Sequence, residues 1–520
     1  MNHTRDLTAE VIVDATPLFS VEQAIFGQFI EHFHREIYGG IYDLGSPLSD
    51  HQGFRRDVLD ALRELGVPVV RWPGGSFASG YHWKDGIGRD REAVFDRAWR
   101  VPESNRFGTD EFLRWTSDLG AEAYICTNAG TGSLDEMTDW VEYCNGSAGT
   151  RWADRRVANG RSEPYRVPYW SVGNENYEEW ELGAEDPAVW ARKVAEMAKA
   201  IRRVDPTVTL LAASSGFPTW TQPMLEVAGK YLDHISVHRY WDDLADDNKP
   251  ADYVTCMSKT LEPDRTMQQL HSLLDVARMP HLGIVFDEWN LRGWHHPAGN
   301  SADVIAARDL NDDNSTYTMA DAVFSACFLN ACVRHADRVK MANFAPAINS
   351  RGALYVHPEG VVKRTTFHVF AMLRSLLPGH TLPTTTYSSA MDANGSTIPT
   401  VDVAGTLDPA TRRIALSIVN KSPHQQAELQ IHVDNRLLSG RCNATILSGD
   451  SPDAFNSVDR PHRVVPERTT LEVAAGRVTL PPHSVTILEV PAERPHQSRP
   501  PWMSTTGGGW LRIAAGAAGP

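Results

Sequence analysis

The sequence predicts an α/β protein, a (β/α)8 TIM barrel followed by a jelly-roll-like β-sandwich. Two observations carry this. Between about Phe26 and Pro346, eight short apolar runs rich in β-branched and aromatic residues alternate with amphipathic segments of helical length. Eight strands are what such a barrel needs to close. After about Leu377 the texture changes to Thr, Ser and Val in short alternating strands.

Taken in chain order, residues 9–14 (AEVIVD) alternate and precede the barrel, so residues 1–20 are expected to lend a strand to the sandwich. The barrel spans 21–376, with its strand runs at 26–30, 67–71, 123–127, 169–172, 208–212, 235–238, 283–286 and 339–343. Asp186-Pro187 opens a helix over 188–204 that Asp205-Pro206 ends, and a second helix is expected over 319–335. A doubly wound sheet, with its usual five or six strands, would leave two runs unassigned. The sandwich spans 377–493, with strands at 413–419, 427–433 and 485–490. Beyond it the chain turns Pro-rich and then Gly/Ala-rich, and 494–520 read as a mobile tail.

At 520 residues with 42% hydrophobic and 22% charged, the chain can build a large core, which excludes global disorder and fibrous repeats. Its 50 Lys+Arg against 65 Asp+Glu give a net charge of -15 with no segregated basic run, so nucleic acid is not an expected partner. A neutral or weakly charged substrate fits better. Arg5, Asp6 and Glu10 stand where a secretory signal would need apolar residues, and no run approaches the ~18 apolar residues of a membrane span. The reading is cytoplasmic, without a membrane partner. Six scattered cysteines are then expected as buried reduced thiols.

In a barrel the site forms at the C-terminal ends of the strands, so the polar residues ending each run are the candidates. In order these are Glu31 and His32, Arg71, Asn128, Asn174 and Glu175, Ser214, His238 with Tyr240, Asp287 to Asn290, and Asn343. Glu175 and Glu288 end the fourth and seventh runs, on opposite sides of an eight-stranded ring. Two carboxyl groups facing across a pocket, one protonated and one ionised, are what glycosidic hydrolysis requires. Asn174 offers an amide for a sugar hydroxyl, and Trp170, Trp180 and Trp289 offer faces for apolar sugar surfaces. The plain structural alternative makes Glu175 a helix-capping loop residue and Glu288 the ion-pair partner of an arginine. Arg71 precedes Gly74-Gly75, where glycine permits close backbone approach.

Competing signatures fare worse. Gly130-Thr-Gly132 carries Asp135 where a dinucleotide fingerprint needs its third glycine, which argues against a nicotinamide oxidoreductase. Gly74-Gly-Ser-Phe-Ala78 lacks the second glycine of a serine-hydrolase elbow. His32-Phe-His34 and His295-His296 lack the i, i+4 spacing of hydrolytic zinc sites and read as surface or supporting histidines; no metal is expected.

Several motifs in this order, Phe29-Ile-Glu-His-Phe33, Tyr38-Gly-Gly-Ile-Tyr42, Arg71-Trp-Pro-Gly-Gly75, Ser79-Gly-Tyr-His-Trp-Lys-Asp-Gly-Ile-Gly88, Gly173-Asn-Glu175, Asp233-His-Ile-Ser-Val-His238 and Phe286-Asp-Glu-Trp-Asn290, together resemble glycoside hydrolase family 51. The likeness runs from Phe26 into the sandwich. It implies an intracellular, retaining α-L-arabinofuranosidase with Glu175 as acid/base and Glu288 as nucleophile. It further implies that Glu31, Arg71 and Asn174 hold substrate hydroxyls and orient the catalytic groups, and that His238 and Tyr240 support Glu288. No cofactor or metal is implied, and the family's assembly as a homo-oligomer, commonly a hexamer, is expected. Two positions depart from the family. Ser76 stands where Pro-Gly-Gly-Asn-Phe has its asparagine, and Ala345-Pro346-Ala347 stands where a glutamine is expected. Both belong to the subsite for the terminal furanose, so another furanoside (a galactofuranoside or D-arabinofuranoside) or a β-glucan or xylan chain is the alternative substrate. A non-catalytic sugar-binding barrel is the alternative outside enzymology.

Overall fold

Eight parallel strands close into a barrel whose strand ends converge on one pocket. The computed structural model describes residues 8–242, 244, 249–293, 303, 313–377 and 379–491. An N-terminal strand β1 (Ala9–Val13) precedes the barrel strands β2 (Gly27–Phe29) and β3 (Val69–Trp72). A small antiparallel hairpin, β4 (Val94–Asp96) and β5 (Val101–Glu103), follows β3. The barrel continues with β6 (Glu122–Thr127), β7 (Tyr169–Val172), β8 (Thr209–Ala213), β9 (His234–Asp242), β10 (Gly283–Arg292) and β11 (Val339–Phe344). They close in the order β10-β11-β2-β3-β6-β7-β8-β9, each strand beside its neighbour in the chain. Every one of the eight expected runs is a barrel strand.

Two strands are longer than their apolar runs. In β9 and β10 pairing continues through polar residues, with Glu288 opposite His238, Asn290 opposite Tyr240 and Arg292 opposite Asp242. An apolar pattern stops where the side chains become polar, while the backbone ladder does not. β10 also carries an irregularity: its register shifts against β9 between Val285 and Glu288, and against β11 between Phe286 and Trp289. Such a bulge breaks the in/out alternation of a strand. Its consequence appears at the site.

The helix Pro187–Val204 starts as its sequence dictates, with the Asp186 carboxylate accepting from Ala188 N at 2.9 Å and proline in the first turn. Trp190, Val194, Ala198 and Ile201 form its buried stripe. The helix Met319–Arg334 is capped by a reciprocal Thr318 and Asp321 box and is buried on all sides from Met319 to Val333. It packs against both β10 and sandwich strands, which explains why it is apolar all round.

In the sandwich, a six-stranded and a five-stranded sheet enclose Leu416, Ile418, Leu429, Ile431 and Leu488. β1 belongs to the smaller sheet, parallel to Ala427–Val433 and antiparallel to Thr384–Ser388. The N-terminal segment thus ties the start of the chain to its C-terminal layer. All six cysteines are buried and unpaired. Among the described residues no helix is long and apolar enough to cross a membrane. His295-His296 and the tail at 494–520 lie outside the described residues.

Val11 is fully buried in β1. Val11→Asp places an unpaired carboxylate there, at a cost on the order of 3 kcal/mol. A lower thermal midpoint is expected, with faster amide exchange in Thr384–Ser388 and Ala427–Val433. An unchanged midpoint would contradict the placement of β1.

Candidate active site

The turn after β7 is shaped by steric necessity. Gly173 has φ +73°, and a Cβ there would lie 2.1 Å from Asn176 Oδ1 and 2.6 Å from the Trp190 ring. Asn174 and Glu175 follow, and Glu175 itself is left-handed at φ +46°. For a residue with a side chain this costs on the order of 1 kcal/mol. Glu178 N donates to Glu175 O at 2.8 Å and holds the turn. Across the pocket, a Cβ on Gly74 would lie 2.4 Å from Glu31 Cγ, and one on Gly75 would lie 3.0 Å from Glu288 Oε1. The glycines therefore do permit close approach, with carboxyl groups as the neighbours.

The β10 bulge puts Asp287 and Glu288 both on the pocket side. Asp287 is fully buried and accepts from Tyr124 OH at 2.7 Å and Ser236 Oγ at 2.6 Å. Arg71, also fully buried, donates from Nη1 to Glu288 Oε1 at 2.6 Å and from Nη2 to Asn174 Oδ1 at 2.7 Å, with Nε 3.2 Å from Asp287 Oδ2. Tyr240 OH donates to Glu288 Oε2 at 2.8 Å. His238 Nδ1 lies 2.7 Å from Glu175 Oε1 and 3.5 Å from Glu288 Oε2, and its Nε2 lies 3.3 Å from Asp287 Oδ1. One guanidinium and one imidazole thus tie together three carboxyl groups from two opposite strand ends.

These contacts set the charges. Burial would lower the His238 basicity, but Glu288, Asp287 and Glu175 around it push it up to about 10, so the ring is an imidazolium at neutral pH. Burial would raise Glu288, but His238, Arg71 and the Tyr240 hydroxyl outweigh it and hold the carboxyl below its usual range. Glu31 goes the other way. Burial and the nearby Glu288 charge push it up to about 8, although Phe77 N and Trp99 Nε1 both donate to its Oε1, at 2.9 and 3.0 Å. At neutral pH Glu31 is a carboxylic acid and a hydrogen-bond donor.

One ligand atom each from Glu175, His238 and Glu288 lie within 4.8 Å of one another, a spacing that a metal ion could bridge. A doubly protonated imidazole has no lone pair to give, so the charge state above opposes ligation.

The structure brings together Glu31, Arg71, Ser76, Asn174, Glu175, His238, Tyr240 and Glu288. Asn174 Nδ2 is buried and without a partner, a donor left for a ligand. Arg71 has no exposed surface, and its guanidinium is turned to Glu288, Asp287, Asn174 and Cys126, the orienting half of its expected role. Trp289 is corrected outright. The bulge turns it away from the pocket, where it is fully buried and stacks on Phe328 at 3.7 Å between ring centroids. Trp170 is likewise core, edge-on to Trp140, whereas Trp180 is 63% exposed. His32 is a supporting residue, 2.9 Å from Glu103 and accepting from Trp72 Nε1 at 3.1 Å. Asn128 organises its own loop by accepting from the backbone N–H groups of Gly130, Thr131 and Gly132. Ser214 and Asn343 bond to backbone carbonyls. Ala345, Pro346 and Ala347 are buried and bring no side-chain polarity.

Three further residues join the site without a role expected from the sequence. Asp287 is one, beside Glu288 on β10. Trp99 lies in the loop of the β4–β5 hairpin, away from any strand end. Glu181, 5% exposed, accepts from Ser76 Oγ at 2.7 Å. It sits in a long loop where only its spacing from Glu175 could have drawn notice.

Comparison with known proteins places these features in context. An α-L-arabinofuranosidase 1 domain model matches residues 61–254, and an α-L-arabinofuranosidase C-terminal domain model matches 287–484. The chain is 34% identical to a probable α-L-arabinofuranosidase C of Aspergillus clavatus, over 94% of this chain and 98% of that one. It is 32% identical to an intracellular exo-α-(1→5)-L-arabinofuranosidase of Halalkalibacterium halodurans, over 84% and 88% of the two chains. The solved structure of the thermostable GH51 α-L-arabinofuranosidase from Thermotoga petrophila RKU-1 superposes with a TM-score of 0.81 at 32% identity, covering 93% of this chain and 100% of that one.

The charge on His238 is directly measurable. Its raised basicity contributes stability that is fully present below 6.5 and is lost as pH rises through about 10. Carbon-labelled histidine NMR should show the His238 ring as imidazolium well past neutrality. A titration midpoint near 6.5 would contradict the charge network.

Proposed function

The chain belongs to the α-L-arabinofuranosidases of glycoside hydrolase family 51, and from that premise we propose that it releases terminal α-L-arabinofuranose by double displacement, with Glu288 as nucleophile and Glu175 as acid/base. It is a glycoside hydrolase. The observation that most supports double displacement is the separation of the two carboxyl groups, with one oxygen of each within 4.8 Å. Retaining glycosidases hold theirs about 5–5.5 Å apart, whereas inverting ones leave about 6.5–9.5 Å for a water.

The charges assign the roles. Glu288 is held ionised by Arg71, His238 and Tyr240, as a nucleophile must be. Its attack on the anomeric carbon forms a glycosyl ester as the glycosidic C–O bond breaks, and Glu175 gives its proton to the departing oxygen. Because Glu175 Oε1 faces His238, that proton belongs on Oε2. Water then attacks the anomeric carbon, losing its proton to Glu175, and the ester bond breaks to free Glu288. Two inversions leave the configuration retained. Glu31, as a neutral donor, and the free Asn174 amide are suited to hold ring hydroxyls. Arg71 acts on the sugar only through Glu288 and Asn174. The reaction needs no redox or electrophilic cofactor.

The named intracellular relative supports a cytoplasmic setting, and a homo-hexamer follows from the family likeness. Ser76 and the apolar Ala345-Pro346-Ala347 segment favour a second reading, in which another furanoside is the preferred substrate.

Glu175→Ala should stay folded and lose far more activity on an alkyl or sugar aglycone than on dinitrophenol, because a good leaving group needs little protonation. Azide should partly rescue it, giving a glycosyl azide. Equal losses on all aglycones without rescue would contradict the acid/base role.

A further inference from the structure

Glu181 has no part in the steps above, yet it lies beside them. It sits in the loop that begins at Glu175, which is fixed by bonds from Glu181 N to Glu178 O at 3.0 Å, Ala184 N to Glu181 O at 3.2 Å and Asn176 Nδ2 to Gly183 O at 3.0 Å. Its carboxyl is buried, and Oε2 accepts from Ser76 Oγ at 2.7 Å. Oε1 is buried as well, and the Ser79 hydroxyl also acts on the carboxyl. Ser76 is only half-buried and follows Gly75, whose Cβ position is 3.0 Å from Glu288 Oε1 and 3.1 Å from Glu31 Oε2. The partly exposed Ser76 hydroxyl thus sits one residue from the groups that approach Glu288 and Glu31, with a buried carboxyl group behind it.

We propose that Glu181 is a specificity-determining positioning residue that works through Ser76: it draws the Ser76 hydroxyl hydrogen inward, so that the Ser76 lone pairs accept a hydrogen bond from one hydroxyl of the bound furanose. A hydroxyl left to rotate would offer either polarity. One committed to a carboxylate offers only an acceptor. A sugar carrying a hydroxyl at that place is bound, and one lacking it leaves the Ser76 oxygen unpaired, which is how buried polar sites discriminate strongly.

The groups facing Glu181 make this polarity titratable. Burial raises the carboxyl to about 7; the Ser79 and Ser76 hydroxyls on the turn after β3 pull it back, and Glu175 after β7 and Glu288 on β10 add to the rise. Below that pH the carboxylic acid can donate to Ser76 and release the serine hydrogen toward the pocket. The Ser76 polarity then reverses.

The inference rests on the arabinofuranosidase reading, and the experiment separates the two. For the full-length enzyme, kcat/KM is measured on nitrophenyl α-L-arabinofuranoside and its 2-, 3- and 5-deoxy analogues, on both sides of about pH 7, for wild type, Glu181→Gln, Ser76→Ala and the double variant. One deoxy penalty should shrink by about tenfold in each single variant and no further in the double, while the other two penalties hold. That penalty should change with pH in wild type and be flat in Glu181→Gln. Equal changes in all three penalties, or a change in none, would overturn the inference and leave the activity intact. A wild type that does not cleave the parent arabinofuranoside would overturn the reading beneath it. Should Glu181→Gln fail to fold, Ser76→Ala still decides: three unchanged penalties would show that Ser76 reads no hydroxyl.

Discussion

Everything at the barrel mouth depends on one buried cation. Arg71 has no exposed surface and spends its guanidinium on Glu288, Asp287 and Asn174, contributed by β10 and the turn after β7. Burying such a charge costs several kcal/mol unless its partners are well aligned. The structure meets that condition by bringing two chain segments to one side chain. The bulge in β10 presents two consecutive carboxylates, and the strained turn at Glu175 brings Asn174 into reach. Positioning Glu288 and satisfying Arg71 are the same act, so the ion-pair reading of Glu288 and the catalytic one are compatible.

Around this centre the environment drives carboxyl groups apart. Asp287 and Glu288, next to Arg71 and His238, are held below the usual range even though burial opposes it. Glu31 and Glu181, buried with weaker cationic help, are pushed above it. Ionised carboxylates and carboxylic acids thereby coexist around one centre at one pH. For these residues the direction of the shift follows from contact with Arg71 and His238, not from residue type.

The same physics explains what was legible in the chain. All eight barrel strands could be read because a parallel strand buried on both faces is a continuous apolar run. The strand-end positions of Glu175 and Glu288 could be read because each polar residue follows directly on an apolar run. Trp289 could not, because its orientation depends on a bulge that leaves no mark on hydrophobic periodicity. Nor could the full lengths of β9 and β10, where polar residues continue the ladder. Glu181 and Trp99 reach the site from loops, through contacts with Ser76 and Glu31 that only the folded chain creates.

The central claim is that Glu288, held ionised by Arg71, His238 and Tyr240, forms the bond to the sugar. A 2-deoxy-2-fluoro arabinofuranosyl dinitrophenolate slows the second step and traps the ester, which intact-protein and peptide mass spectrometry can locate. One sugar equivalent on the peptide bearing Glu288, absent in Glu288→Gln, is the result this account predicts. Labelling of Glu175, Glu31 or Glu181 instead, or no label from an enzyme that releases an inverted sugar, would contradict it.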